Sequence, residues 1–118
     1  MIRILILGVL LSIIPPNTTE INTMRCTCYV PTGNKTADGT VPYEGIIASN
    51  RDHLGDCAFL YTIDGEFIGL FECRDVGGNV KLRNGTAIDV FRDNLDRAYE
   101  WIGQYGDYVQ VIWIECEG

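Results

Sequence analysis

With 118 residues, 47% of them hydrophobic and 21% charged, the chain has material for one domain and one modest core. It carries no low-complexity tract or internal repeat, so disorder and solenoid architectures are excluded. A formal net charge of −7 is the wrong sign for a phosphate-backbone partner, which needs clustered Lys and Arg, and it disfavours adhesion to anionic lipid.

The chain opens with Arg3 and the apolar run Ile4 to Ile14, followed by Pro15-Pro16 and a polar stretch to Thr23. Residues 1–24 therefore have the shape of a signal peptide, because the run is too short to span a bilayer comfortably. No small-x-small pair marks a cleavage point, which leaves an uncleaved N-terminal anchor or a start at Met24 as alternatives. The expectation is an exported protein. Five cysteines, Cys26, Cys28, Cys57, Cys73 and Cys116, fit an oxidising compartment, and their odd number leaves one unpaired. Without a Cys-x-x-Cys pair, and with His53 the single histidine, neither a metal site nor a cofactor is expected.

Arg25 to Val30 alternates and is rich in β-formers, giving a first strand. The turn-forming stretch Pro31 to Thr40 is then a long loop. Gly45 to Ala48 reads as a second strand and Asn50 to Asp56 as a loop. Cys57 to Ile63 and Glu66 to Cys73 flank Asp64-Gly65, the dipeptide favoured by a two-residue hairpin turn in which both residues need positive φ. Ala87 to Phe91 and Tyr108 to Glu115 complete six strands. Between the last two, Asn94 to Gln104 is predicted helical, with Leu95, Ala98, Tyr99 and Ile102 along the buried face. Asp93 or Asn94 can cap its start, and Gly103 and Gly106 offer a left-handed exit. Trp101 and Trp113 are expected in the core and His53 on a surface loop. Six short strands and one helix before the last strand point to a small, mainly β barrel over residues 25–118.

Two aspartates stand out. Asp75 closes a strand-like run and precedes Gly77-Gly78, while Asp89 lies between Ile88 and Val90. A carboxylate inside an apolar strand is costly to bury as a charge, so such a side chain is partnered, neutralised or functional. Apolar flanks and a second carboxylate both raise a carboxyl pKa, which suits Asp89 to general acid work with Asp75 as electrostatic partner. The bland reading is that both cap turns, with Asp75 satisfying amides around Gly77-Gly78.

Four motifs occur in order: Thr27-Cys-Tyr-Val-Pro-Thr-Gly-Asn-Lys-Thr-Ala-Asp-Gly39, Glu44-Gly-Ile-Ile-Ala-Ser-Asn50, Arg74-Asp-Val-Gly-Gly78 and Ala87-Ile-Asp-Val-Phe91. Together they resemble the 3D (Asp-Asp-Asp) domain family, which is similar to the catalytic barrel of membrane-bound lytic transglycosylase A and to the stationary-phase survival muralytic proteins. The resemblance implies a six-stranded double-psi β-barrel. It also implies cleavage of the β-1,4 bond between N-acetylmuramic acid and N-acetylglucosamine in peptidoglycan, with glycan strands as the partner of a monomer. Carried over by position, Asp89 is the single acid/base and Asp75 supports it. Tyr29 and Thr36 of the first motif, and Gly77 and Gly78, line the groove. Where the family has an Ala-Val-Asp-like motif this chain reads Ala48-Ser49-Asn50, so Asn50 or the nearby Asp52 takes that place, and Val76 stands where the family commonly has Thr. One carboxyl suffices for a lytic transglycosylase. A hydrolase needs two, set about 5 to 9.5 Å apart, and Asp75 with Asp89 leaves that chemistry open. A non-catalytic glycan-binding module on the same barrel is the alternative.

Overall fold

A computed structural model describes residues 20–116. The apolar leader expected over residues 1–24 lies outside the described residues as far as residue 19. Strands β1 (Asn22–Tyr29), β2 (Ile46–Ser49), β3 (Asp56–Tyr61), β4 (Phe67–Val76), β5 (Ala87–Phe91) and β6 (Tyr108–Glu115) close into a six-stranded barrel in the order β1-β5-β2-β4-β3-β6. Helices α1 (Val80–Arg83) and α2 (Leu95–Tyr105), and a 3-10 turn at Arg51–His53, fill the connections. The mainly β barrel expected from the sequence is therefore present. Two pairs are parallel, β1 with β5 and β2 with β4, and the antiparallel pair β2 with β5 joins them.

Side-chain alternation sorts the wall into two faces. Cys26, Ile47, Ala58, Leu60, Cys73, Ile88, Val90, Val109 and Val111 belong to one buried cluster that fills the interior. Their strand neighbours Thr27, Ala48 and Asp89 therefore point outward. β4 is irregular where it runs beside β2: Ile47 pairs with Cys73, but Ala48 pairs with Asp75. The extra residue, Arg74, is a bulge that turns Asp75 to the outer face.

Several expectations shift. β1 starts at Asn22, three residues early, and Met24 is buried, so the barrel begins before residue 25. The β3–β4 hairpin is wider than a two-residue turn. Thr62 N donates to Glu66 O at 2.8 Å and Gly65 N to Thr62 O at 2.9 Å, and only Gly65 has positive φ. Asp64 keeps ordinary backbone angles because a longer turn with one left-handed glycine satisfies the same ends. The glycine-rich stretch after Asp75 contains a second helix, the single turn α1. Asn79 caps it by accepting from Leu82 N at 3.0 Å.

Helix α2 exists as expected but buries a different face. Asn94 caps it through Arg97 N and Gly106 ends it at φ 77°. Ala98 and Trp101 are buried, whereas Leu95, Tyr99 and Ile102 are exposed. The reason is Trp101, whose ring packs edge-on against Phe71 and Tyr105 with Arg92 above it, and so rotates the helix toward the largest apolar side chain it can bury. Cys57 and Cys116 form a disulfide. That leaves three free thiols rather than one, Cys26 and Cys73 buried and Cys28 half-buried.

Candidate functional site

The outer face of the wall carries one continuous row. Thr27 is in register with Asp89 across β1–β5, Asp89 with Ala48 across β5–β2, and Ala48 with Asp75 across β2–β4. The two aspartates, 14 residues apart in sequence, thus flank the methyl of one alanine, their backbones about 10 Å apart from two strand spacings. The barrel brings together the pair that the sequence singles out.

Asp89 is half-buried, and its Oδ1 accepts from Thr27 Oγ1 at 3.0 Å. Burial raises its pKa, the Thr27 hydroxyl opposes that by stabilising the charged form, and the negative charge of Asp75 adds to the rise. The outcome is a carboxyl that titrates at about 6, where it exchanges a proton readily at neutral pH. Ile88 and Val90, on either side of it in the strand, point into the interior, so its neighbours in register on its own face are Thr27 and Ala48.

Asp75 has a different setting. Its Oδ1 accepts from Val76 N at 2.9 Å and from Ala37 N at 3.0 Å. The bland reading is partly realised: one of the two amides, Val76 N, lies next to Gly77-Gly78, and the other, Ala37 N, lies in the long loop after β1. Asp75 therefore pins that loop across the row while presenting charge to Asp89. Tyr29, two residues beyond Thr27 on the same face, packs edge-on against Phe91 with ring centroids 5.3 Å apart. Burial, then Asp75 and Asp89, push its hydroxyl pKa up, so it is a neutral donor beside the carboxylates. Its buried oxygen makes no hydrogen bond of good geometry with protein atoms, and the same holds for Ser49 Oγ and Asn50 Oδ1 on the strand end next to Ala48.

The remaining expected residues separate by role. The hydroxyl of Thr36 donates to Asp38 Oδ1 at 2.6 Å and accepts from Thr40 N at 3.0 Å, which makes it the lock of its own turn. Hydrogen bonds from Thr36 and Thr40, with Arg74 further out, hold the Asp38 carboxyl at about 2. Gly77 is dictated by packing: a Cβ there would lie 2.2 Å from Leu82 Cδ1, whereas Gly78 faces open space. Asp52 stands exposed on the 3-10 turn, and no hydrogen bond joins it to the aspartate row among the described residues. Asn50 packs beneath Gly85, where a Cβ would approach its Nδ2 to 3.0 Å.

Sequence reasoning did not single out Thr27, whose role depends on a register 62 residues distant, or Glu44. Glu44 accepts from Arg97 Nη2 at 2.6 Å, Arg97 Nε at 2.9 Å and Asp93 N at 2.9 Å. These contacts, with Arg92 nearby, hold its carboxyl at about 2 and clamp the end of the long loop to the start of α2. The only signal for it was an acid inside a quoted motif. Trp113 is partly buried, and His53 lies flat on it at 3.8 Å with Nδ1 3.1 Å from Asp56 Oδ2, so His53 is a packed side chain rather than a free surface residue. No protein-family model and no curated protein sequence matches the chain.

Proposed function

We propose that this chain is a peptidoglycan-cleaving enzyme of the lytic transglycosylase kind, bacterial or phage-encoded, secreted or associated with the cell wall, with Asp89 as its single acid/base. The observation that carries the reading is the half-buried Asp89, anchored at one oxygen by Thr27 and titrating at about 6. The ordered motifs that resemble the 3D domain family supply the substrate class.

In this reading protonated Asp89 gives its proton to the glycosidic oxygen as the bond to muramoyl C1 breaks. The carboxylate so formed takes the proton from the muramoyl C6 hydroxyl, whose oxygen closes on C1 to give a 1,6-anhydro sugar. The proton count closes on one carboxyl, with Asp89 returned to its acid form. The hydroxyl of Thr27 stabilises the intermediate carboxylate. Burial, with the charge of Asp75 adding to it, raises the share of Asp89 in the acid form, and the bonds of Asp75 to Ala37 and Val76 hold the loop wall in place. A positioned acid/base is worth roughly 10²- to 10⁴-fold, so Asp89→Asn is expected to lower the rate of wall solubilisation by at least about 100-fold.

A second reading has its own support. Asp75 accepts from two backbone amides, and Asn50 stands in the third acidic position, a pattern that also suits a glycan-binding module without catalysis. That module would retain the protein on purified peptidoglycan and release no soluble muropeptides.

A further inference from the structure

The side of the barrel formed by β4, β3 and β6 carries an open groove of about 470 Å³, whose lining does not include Asp75 or Asp89 and reaches Arg74 on β4. Its floor is Phe59, Leu70 and Ile114, outward-facing residues of those three strands, and the Cys57–Cys116 disulfide closes one end. Leu70 is 53% exposed, and Phe67, which packs on Phe59 and Tyr61, is 54% exposed. Such adjacent apolar side chains on one outer face mark a surface that something covers.

The path of the chain identifies the occupant. In the antiparallel β1–β6 pair, Thr23 is opposite Gln110 and Asn22 opposite Val111, so each step toward the N-terminus advances one residue along β6. Ile21 continues this path and packs with Ile112 and Tyr61 on the outer face. From Ile112 to Glu115, β6 has one strand neighbour, β3, among the described residues. The described chain at Glu20 and Ile21 is therefore directed along β6 toward Ile114, about 7 Å further on, where the groove begins.

What precedes residue 21 matches the groove in chemistry. The run Ile4 to Ile14 is apolar throughout except for Gly8 and Ser12, and Arg3 is the one charged side chain in the first 19 residues. The seven residues from Ile14 to Ile21 reach at most about 25 Å, ample to bring the run over the groove. Around the floor stand Asp56, Glu72 and Glu115 against Arg74, a net acidic rim that suits Arg3 and the terminal amine. We propose that, in the chain that retains it, the apolar run Ile4 to Ile14 seats in the Phe59–Leu70–Ile114 groove, so that the barrel is the receptor for its own N-terminal segment.

The test uses the full 118-residue chain with a photo-reactive benzoylphenylalanine replacing Phe67. After irradiation and tryptic digestion, residue 67 is expected to be cross-linked within one chain to the peptide spanning residues 4–25, at a position between 4 and 14. Leu70→Asp, at an exposed position, should abolish that cross-link with an unchanged far-ultraviolet spectrum. Leu7→Asp with Leu10→Asp, which alters only the run, should abolish it independently and guards against misfolding of the first variant. A cross-link that survives both variants overturns the proposal, as does one that joins two copies of the chain. Replacement of the cross-link by lipid adducts and pelleting on phosphatidylcholine vesicles also overturns it, since the run would then occupy the bilayer.

Discussion

The Thr27 hydroxyl donates to Asp89 Oδ1 at 3.0 Å across the parallel β1–β5 pair, tying the first strand of the barrel to a carboxyl whose pKa is raised to about 6. This bond favours the carboxylate. Removing it as Thr27→Val leaves burial and Asp75 unopposed, so the Asp89 pKa is expected to rise above about 6. Carbon-13 NMR titration of the Asp89 carboxyl reads this directly, and the high-pH limb of any lytic activity, where the acid form is lost, should move to higher pH with it. An unchanged or lowered midpoint would contradict the role given to Thr27.

Asp75→Asn moves Asp89 the other way. The amide removes the negative charge that raises the Asp89 pKa, while its carbonyl can still accept from Ala37 N and Val76 N. The expected result is a lower Asp89 midpoint with the loop still in place, and a rate loss that grows as pH rises because less of the acid form remains. Asp75→Ala also frees the loop, and is expected to be the less active of the two at every pH.

Protonation of Asp89 is also written into stability. Its folded-state pKa lies above its unfolded value near 3.8, so the favourable contribution is complete below about pH 4 and is lost as pH rises through about 6. The difference is on the order of 3 kcal/mol. Asp89→Asn should therefore be more stable than the parent at pH 8 and gain little at pH 4, as measured by urea unfolding at the two pH values.

Gly77→Ala should destabilise the barrel by about 1–3 kcal/mol, because the new methyl would sit 2.2 Å from Leu82 Cδ1 in a packed site. Leu82→Gly in the same chain removes Cβ, Cγ and Cδ1, all of which the new methyl would overlap, so Gly77→Ala should cost less in that background than in the parent. Thermal melts of the four proteins form the cycle, and additive losses would show that the two residues do not meet.

The disulfide spans 59 residues, from the start of β3 to the end of β6. Loop-closure entropy for such a span is worth about 4 kcal/mol, so Cys57→Ser with Cys116→Ser should lower the urea midpoint substantially while leaving the aspartate row intact. Retention of the parent midpoint would place the stabilisation elsewhere.

How legible all this was in the sequence depended on the range of the interaction. Asp89 could be singled out as an acid between two apolar strand residues, although what raises its pKa is its own burial on the outer face, with Asp75 adding to it, and not Ile88 and Val90, which point into the interior. The six strands followed from alternation and turn residues, which are likewise local. The hairpin at Asp64-Gly65 was located correctly but not its turn type, since one left-handed glycine and a wider loop close it as well as two residues would. The buried face of α2 was misjudged because periodicity counts Leu95, Tyr99 and Ile102 alike and gives no weight to where Trp101 finds a partner. Thr27 and Glu44 were invisible as functional residues: each acts on a group tens of residues away, through a register that only barrel closure creates. The bulge at Arg74, which turns Asp75 outward, has no local signature at all.

The most direct measurement is mass spectrometry of the soluble products released from purified peptidoglycan by the full chain and by Asp89→Asn. Fragments ending in 1,6-anhydro-muramic acid, released by the parent chain and absent with Asp89→Asn, are the predicted result. Equal release by both proteins, or no release by a parent chain that binds the wall, would contradict a catalytic Asp89.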